Sequence, residues 1–262
     1  MILRFLGCGG GFSDSDQYQS NCAIEVDDKL FLIDCGSDLR FSLKEQYPYI
    51  NNGNILDYVK WLYISHLHGD HCHGAEWLGF CTYFGRGERD PISLMGNPYM
   101  LEDLWNYCLK GTMGEVVDQK LMLPNYFNLI DMDYTPNVQL PDCPYRLELE
   151  MIPSYHIYPY KFSFGLFITT DQQKTYFTSD VNIDNYEINE KYYHKADRIF
   201  HDCETYDNKS GVHYHYEDLK KLPEDIKSKM CLYHYDLKSS EKYDPYKDGF
   251  IGWCYKGDCF GI

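Results

Sequence analysis

His66-Leu67-His68-Gly69-Asp70-His71, the run HLHGDH, places three imidazoles and a carboxylate within six consecutive residues. It follows KWLYIS (60–65), which reads as a buried strand, and precedes a helical pattern over 71–84. A tight turn between those elements lets His66 and His68 face one metal while Asp70 and His71 face a second. Imidazole and carboxylate suit zinc, and also manganese or iron, so the ligand types alone leave the metal open. A histidine-rich surface turn has no need of this spacing between an apolar strand and an amphipathic helix.

Working outward, short strand-like runs dominate the first half: ILRFLG (2–7), NCAIEV (21–26) and KLFLIDCG (29–36), each bounded by Gly, Asp or Asn. Helical patterns are expected at about 37–46, 71–84 and 98–109, the last with Leu101, Leu104, Trp105 and Cys108 at helical spacing. In the second half YRLELEMI (145–152) alternates and KFSFGLFIT (161–169) reads as a buried strand. KTYFTSD (174–180) and ADRIFHDC (196–203) carry carboxylates near their ends, and CLYHYD (231–236) reads as a final strand. YEDLKKLPEDIKSKM is helical with a break at Pro223. This order predicts an α/β chain with two mixed sheets packed face to face and helices outside. A length of 262 residues fits one domain spanning 1–262.

Three further residues stand where strand-like runs end. His156 lies in IPSYHIY, Asp180 closes FTSD, and His234 sits in LYHYD. A carboxylate at Asp180 is the simplest bridge between two metals, whose charge would keep it ionised. Each is ordinary alone, and each gains weight from following HLHGDH in order.

Composition limits the partners. The chain carries 24 Lys and Arg against 40 Asp and Glu, a formal net charge of −16, and no basic cluster stands out. Long nucleic acids are gripped by neutralising phosphates, so a phosphate-bearing substrate should be small and held mainly by the metals. Eleven cysteines lie scattered from Cys8 to Cys259 without a disulfide spacing, and Cys254 and Cys259 lack the second pair that a zinc site needs. The N-terminus MILRFLGCGG lacks signal-peptide character, and no run approaches the ~18 apolar residues of a membrane span. A cytoplasmic protein with reduced thiols and no membrane partner is expected. The 26 tyrosines suit wet interfaces and ring-stacking pockets, and compositional drift explains them equally well.

HxHxDH, a later His, a later Asp at a strand end and then a final His resembles the pattern of the metallo-β-lactamase superfamily, an αββα sandwich. FLGCGGGFS and FLIDCGSDLR look like its opening strands, with Asp34 at its buried acidic position. The resemblance implies that His66, His68 and His156 bind one metal, that Asp70, His71 and His234 bind the other, and that Asp180 bridges them. Class B lactamases commonly carry cysteine where this chain has Asp180, which points away from lactamases. HDCET (201–205) and SGVHYHYEDL (210–219) resemble two loops of the tRNase Z-like phosphodiesterases. There a histidine of the second loop protonates the leaving oxygen; His213 aligns best with it and His215 is the runner-up. The chain resembles most the phage-encoded anti-Pycsar enzymes, which hydrolyse cyclic mononucleotides. QSNCAIEV, DLRFSLKE, ISHLHGDH, FCTYF, DLWNYCLKG, SFGLFIT, DCET and VHYHYEDL, from about residue 19 to 235, carry the likeness.

That resemblance implies two divalent ions, zinc ahead of manganese. They would activate a water oriented by Asp70 and stabilise the attacking and leaving oxygens on phosphorus. His213 would give its proton to O3′, opening cCMP or cUMP, or cAMP or cGMP, to a 5′-monophosphate as a phage counter-defence. The resemblance further implies a homodimer in which a partner loop covers the site, with LKGTMGEVVDQ as the candidate loop. Tyr158, Phe162 and Phe164 are candidates for base stacking or for the core. His73 and His201 have no place in the pattern. Two other functions fit part of it: a tRNA 3′-end endonuclease, disfavoured by acidity and by the missing tRNA-gripping arm, and a binder that sequesters a nucleotide without turnover.

Overall fold

Alternation on some runs and continuous apolarity on others produce two sheets that share one buried interface. The computed structural model describes residues 1–132, 138–156 and 163–262. Its first strands are β1 (Ile2–Gly7), β2 (Asn21–Val26), β3 (Lys29–Ile33), β4 (Val59–Tyr63) and β5 (Ser93–Gly96). A small hairpin of β6 (Glu115–Val116) and β7 (Gln119–Lys120) precedes β8 (Asn128–Asp131) and β9 (Val138–Gln139). Then come β10 (Leu147–Ser154), β11 (Ser163–Thr170), β12 (Lys174–Phe177) and β13 (Arg198–Asp202). The series ends with β14 (Met230–Tyr233), β15 (Gly252–Trp253) and β16 (Cys259–Gly261).

Among the described residues, one seven-stranded sheet has the order β16-β1-β2-β3-β4-β5-β8 and the other β15-β14-β13-β12-β11-β10-β9. Each is antiparallel in one half and parallel in the other: β3, β4, β5 and β8 run together, as do β12 to β15. The carboxyl ends of the parallel strands therefore gather along one edge of each sheet, where ligand crevices form in such sheets.

The facing sides interlock through aromatic rings. Phe5 of the first sheet meets Phe200 edge-on at 5.2 Å and Tyr233 at 5.8 Å, both from the second. Burying a ring of this kind contributes about 1.5–3 kcal/mol. Tyr63 crosses the interface to donate its hydroxyl to the Phe164 carbonyl at 3.1 Å. Helices Leu39–Gln46 and Gly74–Gly85 cover the first sheet and Tyr186–Lys195 the second.

Several expected boundaries move. The strand expected to reach Gly36 stops at Ile33, because Asp34 takes a left-handed φ of 63°. CLYHYD is neither the last strand nor a strand throughout: β14 ends at Tyr233, His234 turns with φ 64°, and β15 and β16 follow. The helix expected over 71–84 divides into Gly69–Cys72 and Gly74–Gly85. That over 98–109 changes at Leu104 from α to a wider π turn. All eleven cysteines are free thiols. Among the described residues no helix is long and apolar enough to cross a membrane.

Candidate metal centre

The strand ends bring their polar residues into one buried cluster. HLHGDH leaves β4 and enters the short helix Gly69–Cys72; His156 follows β10, Asp180 follows β12 and His234 follows β14. Asp34, Ser179 and His234 all have positive φ, with 63°, 52° and 64°. Three non-glycine residues in the left-handed region at one place mark a locally strained site. Each turns the chain sharply where its strand stops.

Outer hydrogen bonds set which ring nitrogen faces inward. His71 Nδ1 pairs with Asp34 Oδ2 at 2.8 Å, and Asp34 is itself held by the Ser65 N–H and hydroxyl, each at 2.8 Å. His156 donates from Nδ1 to the Val212 carbonyl at 2.6 Å, and His66 Nδ1 lies 3.0 Å from the Ser65 hydroxyl. Nε2 of His66, His71 and His156 is thereby left for the interior. There His71 Nε2 stands 3.3 Å from Asp180 Oδ1 and His66 Nε2 3.7 Å from Asp180 Oδ2, neither bonded, while His156 Nε2 lies 3.6 Å from Asp180 Oδ2 and 3.1 Å from His68 Nδ1. His234 Nε2 stands 3.3 Å from Asp70 Oδ2 and 3.4 Å from Asp180 Oδ2. Such spacings match the roughly 3.4 Å edge of a tetrahedron built on ~2.1 Å ligand bonds.

Two sets of four thus form around Asp180: His66, His68, His156 and Asp180, and Asp70, His71, Asp180 and His234, with ligand atoms within 4.8 Å of one another in each. His66 Nε2, His71 Nε2 and both Asp180 oxygens are buried without a hydrogen-bond partner. Leaving so many polar atoms unpaired is costly, and their donor chemistry fits metal cations.

A third set joins Asp180 and His234 to Asp202 and His213. Asp202 closes β13, and its Oδ2 accepts from the Val181 N–H at 3.0 Å and pairs with His213 Nδ1 at 2.9 Å. Burial disfavours the charged His213 imidazole, but the Asp202 carboxylate outweighs that and lifts its pKa to about 9. Burial likewise works to raise the pKa of Asp180, and the surrounding His234 and His71 imidazoles overcome it and hold that carboxylate well below its usual range.

The remaining histidines separate cleanly. His215 Nε2 meets the Tyr206 carbonyl at 2.9 Å while its Nδ1 caps the helix Tyr216–Leu219 through the Glu217 N–H. His213, by contrast, lines a cavity of about 380 Å³ that opens on Asp70 and Asp180. His73 is exposed and outside the metal-ligand sets, and His201 lies in the second sheet's own core. Phe164 is core, 1% exposed, which removes it as a stacking ring; Tyr158 and Phe162 lie outside the described residues. LKGTMGEVVDQ is not a plain loop: it holds the turn Lys110–Met113 and most of the β6–β7 hairpin. The sequence reading passed over Asp202, whose carboxylate in HDCET resembles any strand-end turn former.

Two seven-stranded mixed sheets with helices outside and a buried His/Asp cluster at their strand ends define the metallo-β-lactamase fold with a candidate metal site. The solved structures bear out the fold. The metallo-β-lactamase fold protein YhfI from Bacillus subtilis aligns over 99% of this chain and 98% of its own, with TM-score 0.73 and 16% identity. Human tRNase Z, short form, aligns over 100% and 99%, with TM-score 0.66 and 17% identity. The profile of the family described as "Anti-Pycsar protein Apyc1" matches residues 1–260, and the chain belongs to that family. A relative of that description from Paenibacillus sp. (strain J14) is 27% identical over 240 residues, covering 90% of this chain and 91% of its own.

Proposed function

We infer that this chain is a two-metal phosphodiesterase that opens 3′,5′-cyclic mononucleotides to 5′-monophosphates, and that it counters a cyclic-nucleotide immune signal. The observation that carries this reading is the Asp202–His213 pair beside the metal-ligand cluster, with His213 lining a cavity that has room for one nucleotide. Membership of the anti-Pycsar family supports the same substrate class.

His66, His68 and His156 would hold one ion, Asp70, His71 and His234 the other, with Asp180 shared. When bound, two divalent ions activate water and neutralise charge on the phosphoryl oxygens. Asp70, which lines the cavity, would orient the attacking water. Asp202 holds His213 through Nδ1, which leaves Nε2 to act as the donor. Water adds to phosphorus and gives up one proton to solvent, the P–O3′ bond breaks, O3′ takes the His213 proton to become a hydroxyl, and His213 regains a proton from solvent.

The described cavity lining includes Asp70, Asp180, Glu204 and Asp236 and no Lys or Arg. Such walls disfavour polyanions, which supports a substrate with a single phosphodiester charge over tRNA. For the homodimer, the exposed Phe84, Tyr107 and Val117 near the β6–β7 hairpin supply apolar surface suited to a second copy.

Incubation of the metal-loaded protein with cCMP, cUMP, cAMP, cGMP and a precursor tRNA, with and without chelator, tests the reading. Chelator-sensitive conversion of a cyclic nucleotide to its 5′-monophosphate is expected. Cleavage of tRNA alone would replace this reading with the endonuclease, and tight nucleotide binding without product would replace it with a sequestering protein.

A further inference from the structure

We propose that Phe12 is the base-stacking residue of this site, with Tyr206 as the second ring. The inference rests on the hydrolase reading above and adds how the base is held. The loop between β1 and β2 is pinned at its root, where Cys8 and Gly9 donate to the Gln17 and Tyr18 carbonyls at 3.2 Å and 2.9 Å. The His234 N–H donates to the Cys8 carbonyl at 2.6 Å and ties the loop to the metal-ligand cluster of the other sheet.

At its tip the Ser13 N–H donates to the Gly10 carbonyl at 3.0 Å, closing a turn over Gly10 to Ser13. Two glycines let that turn lie against the cluster: a Cβ on Gly10 would stand 3.2 Å from His234 Cε1, and one on Gly11 3.3 Å from Asp70 Cγ. The next residue is Phe12, which lines the cavity and is 98% exposed. A ring so exposed adds nothing to the core, and its place on the lining puts it within reach of whatever enters the cavity.

Tyr206, from the loop after β13, lines the same cavity and is 45% exposed. The two rings come from opposite sheets. A nucleotide whose phosphate sits at the metal cluster carries its base toward the cavity mouth, where Phe12 is. With no Lys or Arg in the described lining, ring stacking is the contact left that is strong and indifferent to charge.

The test uses the metal-loaded protein with a cyclic nucleotide and with base-free ribose 3′,5′-cyclic phosphate. Wild type should have the lower KM for the nucleotide. Phe12→Ala and Phe12→Leu should each raise that KM about tenfold, with a smaller change in kcat. Phe12→Trp should restore it, and its emission should be quenched by the nucleotide beyond any change in wild type. An unchanged nucleotide KM in Phe12→Ala, or full restoration by Phe12→Leu, would overturn the inference and leave the hydrolase reading standing. Wild type that turns over neither substrate would remove both.

Discussion

Two buried histidine environments in this chain differ in one respect, whether both ring nitrogens are satisfied. His201, in the second sheet's core, accepts from the Tyr193 hydroxyl at Nε2 and donates from Nδ1 to the Asp202 carbonyl, each at 2.6 Å. His66 and His71 are as deeply buried, but each bonds only through Nδ1 and leaves Nε2 without a partner. A fully bonded core histidine is structural; a half-bonded one facing carboxylates at ligand spacing is built for a cation. Depth of burial does not separate the two, and accounting for each nitrogen does.

The largest expected effect breaks the cation side of that comparison. Asp180→Ala removes the carboxylate common to both ligand sets, and turnover should fall by about a thousandfold or more. Elemental analysis should show lost metal while circular dichroism stays native. Full metal content in this variant would refute the shared-ligand assignment. His213→Ala should lower kcat by about 10²–10⁴ with metal content intact. The loss should shrink for a p-nitrophenyl phosphodiester, whose leaving group needs no proton.

Asp202→Asn should act more mildly, through His213. Asp202 holds the His213 pKa up at about 9, so its loss moves that pKa down. An acid must be protonated to donate, so the alkaline fall of the rate profile should shift to lower pH. An unmoved limb would show that another group is the donor.

The smallest effect on catalysis, and the sharpest contrast, belongs to His201. His201→Phe should cost about 1–3 kcal/mol in denaturant unfolding by stranding the Tyr193 hydroxyl, with metal content and kcat near wild type. Burial depresses the His201 pKa to about 4, below the ~6.5 of an unfolded imidazole. Its neutral form therefore contributes stability that is complete above pH ~6.5 and lost as pH falls toward 4, at up to ~1.4 kcal/mol per unit. Removing His201 should flatten that acid slope, and an unchanged slope would assign it to other groups.

Much of the candidate site's clustering was legible because metal ligation constrains residue type and spacing: HLHGDH, His156, Asp180 and His234 do converge. Asp202 was not, since its meaning arises only where His213 and His234 reach it from other elements. The left-handed turns at Asp34, Ser179 and His234 leave no mark in composition, because glycine occupies none of them. In the fold, the long apolar strands were readable, while β15 and β16 are too short for a period to show. Helix Tyr186–Lys195 escaped because the face it buries holds Asn189 and Tyr193, with Asn189 accepting from the Tyr176 hydroxyl at 2.8 Å. A polar buried face carries no hydrophobic period.

The acid-lined cavity has a consequence for turnover. In the proposed reaction the substrate carries one negative charge, and ring opening leaves a phosphate monoester with about −1.5 to −2 near neutrality. Glu204 and Asp236 stand in the wall beside the metal-ligand cluster, and the described lining holds no Lys or Arg. Under that reading, bond cleavage would raise the repulsion between the wall carboxylates and the product against the pull of the bound ions, so the acidic wall would ease release.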